Sequence, residues 1–261
     1  MGPADLAADV ALVARALADL GFVHAFGHVS ARAVDNPERP DSPSATVPLR
    51  GAAQPEGGFP RAREREGASL PRARGWRVLL TPTAPPLGEV AGGEVLELDR
   101  EGRVLRGVAG NRPLEAALHL AVYEAQPGVG AICRVQAPAI SASATVGAVP
   151  PLLHGFGGMV EPVAWWDDPD LVTDGPVAER VAAALGEAPA MLLAGNGGLT
   201  VGADLDQALA RAWCLEDRCR VALSAGDRGR PLPAEALERR RRWYDAETAR
   251  LARWLRAPGG S

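Results

Sequence analysis

Lysine is missing from this chain: all 28 basic residues are arginine. Without an ε-amine there is no imine route to a carbanion, no anchored pyridoxal cofactor and no phosphate-loop lysine. Cysteine is scarce and odd in number, at Cys133, Cys214 and Cys219, with no framework spacing, the usage expected of a reducing cytoplasm. Histidine is confined to His24, His28, His119 and His154, so any general-base or metal-ligand scheme draws on a short roster. No uncharged apolar run reaches about eighteen residues, which predicts no membrane-spanning helix. The start of the chain lacks the basic end and apolar stretch of a signal peptide and carries Asp5, Asp9 and Asp19 instead. A net charge of −4 gives no basic excess and argues against nucleic acid as a partner.

What is present is core material. With 47% hydrophobic residues in 261, the chain can build a full interior, and it reads as one domain over 1–261. Leu6, Val10, Val13, Ala14, Leu17 and Leu20 share one face of a helix predicted over 4–20, which Gly21 stops. Phe22 to Arg32 reads as a turn into a strand. Arg77 to Thr81 is a strand ended by prolines, and 94–99 with 103–107 form a hairpin around Arg100-Glu101-Gly102. Pro113 opens a helix over 114–125, followed by a buried strand over 129–136 and a helical stretch from Pro138. Beyond these come a strand over 159–165, a helix over 175–185, strands at 190–193 and 199–201, and a long helix over 205–225. A single charged helix is predicted over about 233–256. Helices interleave with strands, so the class is α/β, three layers around one mixed sheet.

One stretch departs from this order. From about 34 to 74, proline recurs at 37, 40, 43, 48, 55, 60 and 71 among glycines and clustered charges. It reads as a tolerated surface insertion or as a lid over a site.

Several short pieces carry a likeness when taken in order. They are Gly27-His28-Val29-Ser30-Ala31-Arg32, Leu79-Leu80-Thr81-Pro82, Leu96-Glu97-Leu98-Asp99 with Gly102, and Pro113-Leu114-Glu115 followed by Leu118-His119 and Tyr123. After them come Pro127-Gly128-Val129, Cys133-Arg134-Val135-Gln136-Ala137-Pro138, Leu192-Leu193-Ala194-Gly195-Asn196-Gly197, and Leu215-Glu216 on a helix. Over about Leu6 to Ala225 the chain resembles the class II aldolase/adducin family. The resemblance implies a three-layer α/β/α fold with a central mixed, mainly antiparallel sheet, and a homotetramer with sites between subunits.

The resemblance also implies three imidazoles around a divalent cation that stabilises an enolate. Here those positions hold Arg134, Gln136 and Asn196. Arginine cannot lose its proton, and amides are weak neutral ligands, so neither metal nor cofactor is expected. Glu115 matches the carboxylate that moves the proton in the family's aldolases, and burial can raise a carboxylate toward that task. It reads equally as an acid favoured by a helix N-terminus. Arg134 could bind a carboxylate or an enolate oxygen, or fill the place with an internal ion pair. His119 reads as a packed, hydrogen-bonded histidine or, four residues from Glu115 and joined by His154 or Cys133, as a relocated metal ligand. His154, in a glycine-rich loop, reads as a plain loop residue or as a second proton carrier. His28, Ser30, Thr81, Gln136 and Asn196 are the candidate substrate contacts. The phosphate-binding hydroxyls implied by the resemblance are replaced by His28, Thr83-Ala84 and Pro113-Leu114, which points away from a phosphorylated sugar.

Two functions follow. One is a metal-independent lyase (decarboxylase, aldolase-like or cyclising) acting on a small non-phosphorylated carboxylate or carbonyl compound, with Glu115, Arg134 and His154 as its catalytic set. The other is a non-catalytic member of the family, an inactive subunit or a ligand-binding or structural protein.

Overall fold

The computed structural model describes residues 2–23, 26–34 and 75–257. His24 and the expected insertion beyond Val34 lie outside the described residues.

Helix α1, Pro3–Asp19, begins where Asp5 turns back to accept from the backbone of Gly2, and it buries Val10, Val13, Ala14 and Leu17 as its periodicity predicts. Strand β1, His28–Val34, pairs antiparallel with β2, Trp76–Leu80, on one side and with β5, Ala131–Val135, on the other. Strands β3, Leu96–Leu98, and β4, Val104–Arg106, form the predicted hairpin beyond β2. Strands β7, Ala190–Leu193, and β8, Gly198–Gly202, complete the far side with β6, Val163–Trp166. The eight strands run in the order β4-β3-β2-β1-β5-β8-β7-β6, antiparallel except for the parallel β6–β7 pair.

Alternation along β5 sorts the two faces of the sheet. Cys133 and Val135 enter the core shared with α1 and with α5, Leu205–Ala225. Ile132 enters the other core, beneath α2, Ala116–Ala125, and α4, Gly175–Leu185. Arg134 has the parity of Ile132 and therefore stands on the α2 side. The short helix α3, Pro138–Ser143, follows β5 at once, and the Glu216 carboxylate of α5 accepts from the backbone of Ala139 and Ile140 at its start.

Two boundaries differ from expectation. The predicted strand over 159–165 is a 3-10 turn over Phe156–Val160 and a strand only from Val163. Pro162 offers no N–H to a ladder, and a Cβ at Gly158 would lie 2.2 Å from the Tyr244 hydroxyl, so the chain coils tightly there. The single helix expected over 233–256 is two: α6, Ala234–Arg241, and α7, Tyr244–Leu255. Four successive arginines, Arg239 to Arg242, disfavour continuation. The turn at Trp243 lets Ala252 and Leu255 pack inward, while Arg256 forms ion pairs with Asp9 of α1 at 3.3 Å and Asp206 of α5 at 2.6 Å.

Candidate active site

Among the described residues Arg134 is the largest fully buried side chain, 1% exposed at the centre of the sheet. Its Nη1 donates to the backbone carbonyls of Val135 at 3.2 Å and Gly198 at 3.3 Å. Its Nε lies 3.4 Å from Glu115 Oε2, an ion pair inside the protein. Glu115 stands at the N-terminal boundary of α2 but makes no capping hydrogen bond, so its carboxylate is turned to the arginine instead of to the helix. Burial pulls the Arg134 guanidinium below its ordinary value, and Glu115 opposes that pull.

Two imidazoles adjoin the pair. His28 is the β1 partner opposite Arg134, and its ring meets that of His119 edge-on with centroids 5.8 Å apart. Burial first, and then the neighbouring Arg134, lowers His28 to about 3. His119 is fully buried and lies well below the ordinary histidine value, from burial and then from His28 and Arg134. Both rings are therefore neutral. Behind them the Ser30 hydroxyl hydrogen-bonds to His119 Nδ1 and to the Tyr123 hydroxyl, each at 2.8 Å. Burial raises the Tyr123 phenol far above its usual range, so it keeps its proton.

The remaining candidates divide. Gln136 Nε2 donates to Asn196 Oδ1 at 3.2 Å, which brings those two together beyond the end of β5. The Thr81 hydroxyl is buried and accepts from the backbone N–H of Val29, a clasp between β1 and β2. Ser30 likewise faces inward to its two partners. His154 does not join the cluster: its ion-pair partner is Asp217 of α5, 3.4 Å away, and the charges around it are Arg220, Arg218 and Arg240. Helix α5 covers the opposite face of the sheet from Arg134. Within one chain His154 and its Asp217 partner therefore lie across the sheet from Arg134 and Glu115.

Arg134, Gln136 and Asn196 do not fit a divalent cation. One is a buried permanent cation already paired with the nearest carboxylate, and the other two spend an amide donor and an oxygen on each other. Among the described residues, no group of three or more His, Cys, Asp or Glu side chains is arranged to hold a metal ion.

The cluster nonetheless has unspent hydrogen-bonding capacity. Arg134 Nη2, Glu115 Oε1, His28 Nδ1 and His119 Nε2 are all buried, and none has a hydrogen-bond partner among the described residues. Orphaned groups of this kind are uncommon in folded proteins and mark ligand, water or reaction sites. Apart from the reading of His119 as a relocated metal ligand, His119 and Tyr123 were not predicted here as site residues. Their signal was the spacing of Glu115, His119 and Tyr123, every fourth residue on one helix face.

The comparisons with known proteins agree with the architecture. The model for the class II aldolase and adducin N-terminal domain matches residues 8–223. A Nocardia farcinica protein named for a bifunctional methylthioribose-1-phosphate isomerase/methylthioribulose-1-phosphate dehydratase is 34% identical over 131 residues. That match takes in 43% of this chain and only 23% of the relative. The solved L-fuculose 1-phosphate aldolase from Glaciozyma antarctica PI12 superposes with a TM-score of 0.69 at 20% identity, over 97% of this chain and 88% of its own. An aldolase II superfamily protein from Pseudomonas syringae gives 0.70 at 18% identity, over 97% and 92%. These likenesses in shape and the match over most of the sequence place the chain in the class II aldolase and adducin family.

Proposed function

We propose that this protein is a lyase in which Arg134, in place of a divalent cation, stabilises an enolate-like intermediate, and Glu115 moves the proton. The observation that carries this reading is a pair of buried, unpartnered atoms, Arg134 Nη2 and Glu115 Oε1, a free donor and a free acceptor on two side chains already joined by an ion pair. A substrate carbonyl or carboxylate oxygen set against Arg134 Nη2 would receive developing negative charge where a donor already waits. In the cleavage direction the C–C bond breaks, its electron pair passes to that oxygen, and Glu115 delivers a proton to the carbon left behind; in the forming direction Glu115 Oε1 takes that proton from the carbon next to the carbonyl, whose electrons pass to the same oxygen. Decarboxylation, aldol cleavage and cyclisation share this intermediate. The dehydratase in the Nocardia relative's name adds elimination of a hydroxyl to the same group.

The substrate is a small, non-phosphorylated carboxylate or carbonyl compound. Pro113-Leu114 precedes Glu115 without a hydroxyl, and Leu114 is 70% exposed. A small-molecule substrate, action without a metal and assembly as a homotetramer complete the proposal.

The test is exchange of the α-proton. Small hydroxy and keto acids, with dihydroxyacetone as a neutral carbonyl, are incubated with protein in deuterium oxide and followed by NMR. Deuterium enters the carbon next to the carbonyl, the rate is unchanged by a chelator, and Glu115→Gln abolishes it. Loss of exchange on chelation with recovery on adding a divalent ion would overturn the proposal.

A second reading has its own support. Arg134 is sealed from solvent and bonded to two backbone carbonyls, as a cation filling an obsolete site would be. In that case no compound in the panel exchanges or raises the melting temperature.

A further inference from the structure

We propose that His119 is a catalytic hydrogen-bond donor of this site, its Nε2–H set by the chain Tyr123–Ser30–His119 and offered to the same substrate oxygen that Arg134 receives. The inference rests on the lyase reading above and assigns a second donor to it.

Proton counting along the chain gives the tautomer. The Ser30 hydroxyl holds one hydrogen and sits 2.8 Å from both His119 Nδ1 and the Tyr123 hydroxyl. If Tyr123 donates to Ser30 and Ser30 donates to Nδ1, every hydroxyl hydrogen has an acceptor. The imidazole hydrogen is then on Nε2. In the reverse order the Tyr123 hydrogen would have to find a different acceptor, and Ser30 is the only side-chain partner of that hydroxyl among the described residues. The forward order is therefore favoured. It leaves a single N–H, at His119 Nε2, fully buried and without a partner among the described residues.

Position supports the role. His119 lies one helical turn from Glu115 and against the ring of His28, which stands opposite Arg134 in the ladder. A neutral imidazole is the better donor here, since an imidazolium beside Arg134 would add a second buried cation. A neutral histidine can polarise a carbonyl and share an enolate's charge without taking part in proton bookkeeping. Arg134 and His119 together would supply the paired donors of an oxyanion site. Tyr123 and Ser30 are positioning residues, acting only through the ring they orient.

Two measurements test this. Histidine-selective ¹⁵N NMR reads the tautomer whatever the activity: His119 shows a protonated Nε2 and a bare Nδ1, and Ser30→Ala mixes the two forms. A protonated Nδ1 in the wild type would overturn the inference. In the exchange assay, His119→Phe lowers kcat by about a hundredfold or more with little change in KM, the loss typical of an oxyanion donor. His119→Gln, which retains a donor N–H, recovers part of it. Equal rates for His119→Phe and wild type, with Glu115→Gln still inactive, would remove His119 while leaving the lyase reading intact. No exchange in the wild type would overturn both.

Discussion

At the scale of single residues, the Arg134–Glu115 pair has an asymmetric energetic signature. Arg134→Met leaves a buried carboxylate without its partner, a change that costs about 3–5 kcal/mol. Removing both charges, in Arg134→Met with Glu115→Gln, is expected to recover much of that loss, and urea denaturation of the two variants measures it. Restoring imidazoles tests the donor chemistry from the other direction. Arg134→His, Gln136→His and Asn196→His in one chain should bind zinc or manganese stoichiometrically and the parent should not, read by metal analysis of both after dialysis. The buried histidines predict an acid limb. His28 titrates at about 3 when folded and His119 lies well below its ordinary value, whereas both bind protons near 6.5 in the unfolded chain. Between those limits the unfolded chain holds more protons. The stability these rings contribute is therefore complete above about pH 6.5 and is lost as pH falls toward 3. Each ring steepens the loss by about 1.4 kcal/mol per pH unit, and His28→Asn should flatten the urea-midpoint profile between pH 6.5 and 4.

At the scale of elements, the sequence was most legible where a period ran long. The stripe Val10, Val13, Ala14 and Leu17 gave α1, and Arg100-Glu101-Gly102 gave the hairpin, because spacing and turn chemistry act locally. Illegible were the contacts that join elements distant in sequence. Glu216 lies on α5 yet caps α3, and nothing around residue 216 announces that. Glu216→Ala removes two acceptors from the start of α3 and is expected to lower stability by about 1–2 kcal/mol, visible as a fall in the urea midpoint at constant slope. Arg32 similarly donates from β1 to the carbonyls of Tyr123, Gln126 and Pro127 at the end of α2. The site was legible in part for the same reason. Arg134 and Glu115 were named from ordered motifs, but where a side chain aims is settled only when helices dock on the sheet. His154 was thereby grouped with residues that lie across the sheet from its Asp217 partner, and His119 was read as packing although one of its nitrogens remains unspent.

At the scale of the whole molecule, no described helix is long and apolar enough to cross a membrane, and the exposed surface holds Phe26, Leu114, Trp243 and Trp254 in the open. Exposed aromatic and aliphatic groups of that size suit subunit contacts, and sedimentation velocity should return a tetramer. The location of the cluster has a separate consequence. His28 and Arg134 face each other across β1 and β5, the two middle strands in the order of eight. Their spacing is held by the ladder itself and not by a loop. Amide hydrogens of these strands should then exchange only with global unfolding, and heat should silence the site and melt the fold at one temperature. A cluster built this way has no half-open state between intact and unfolded.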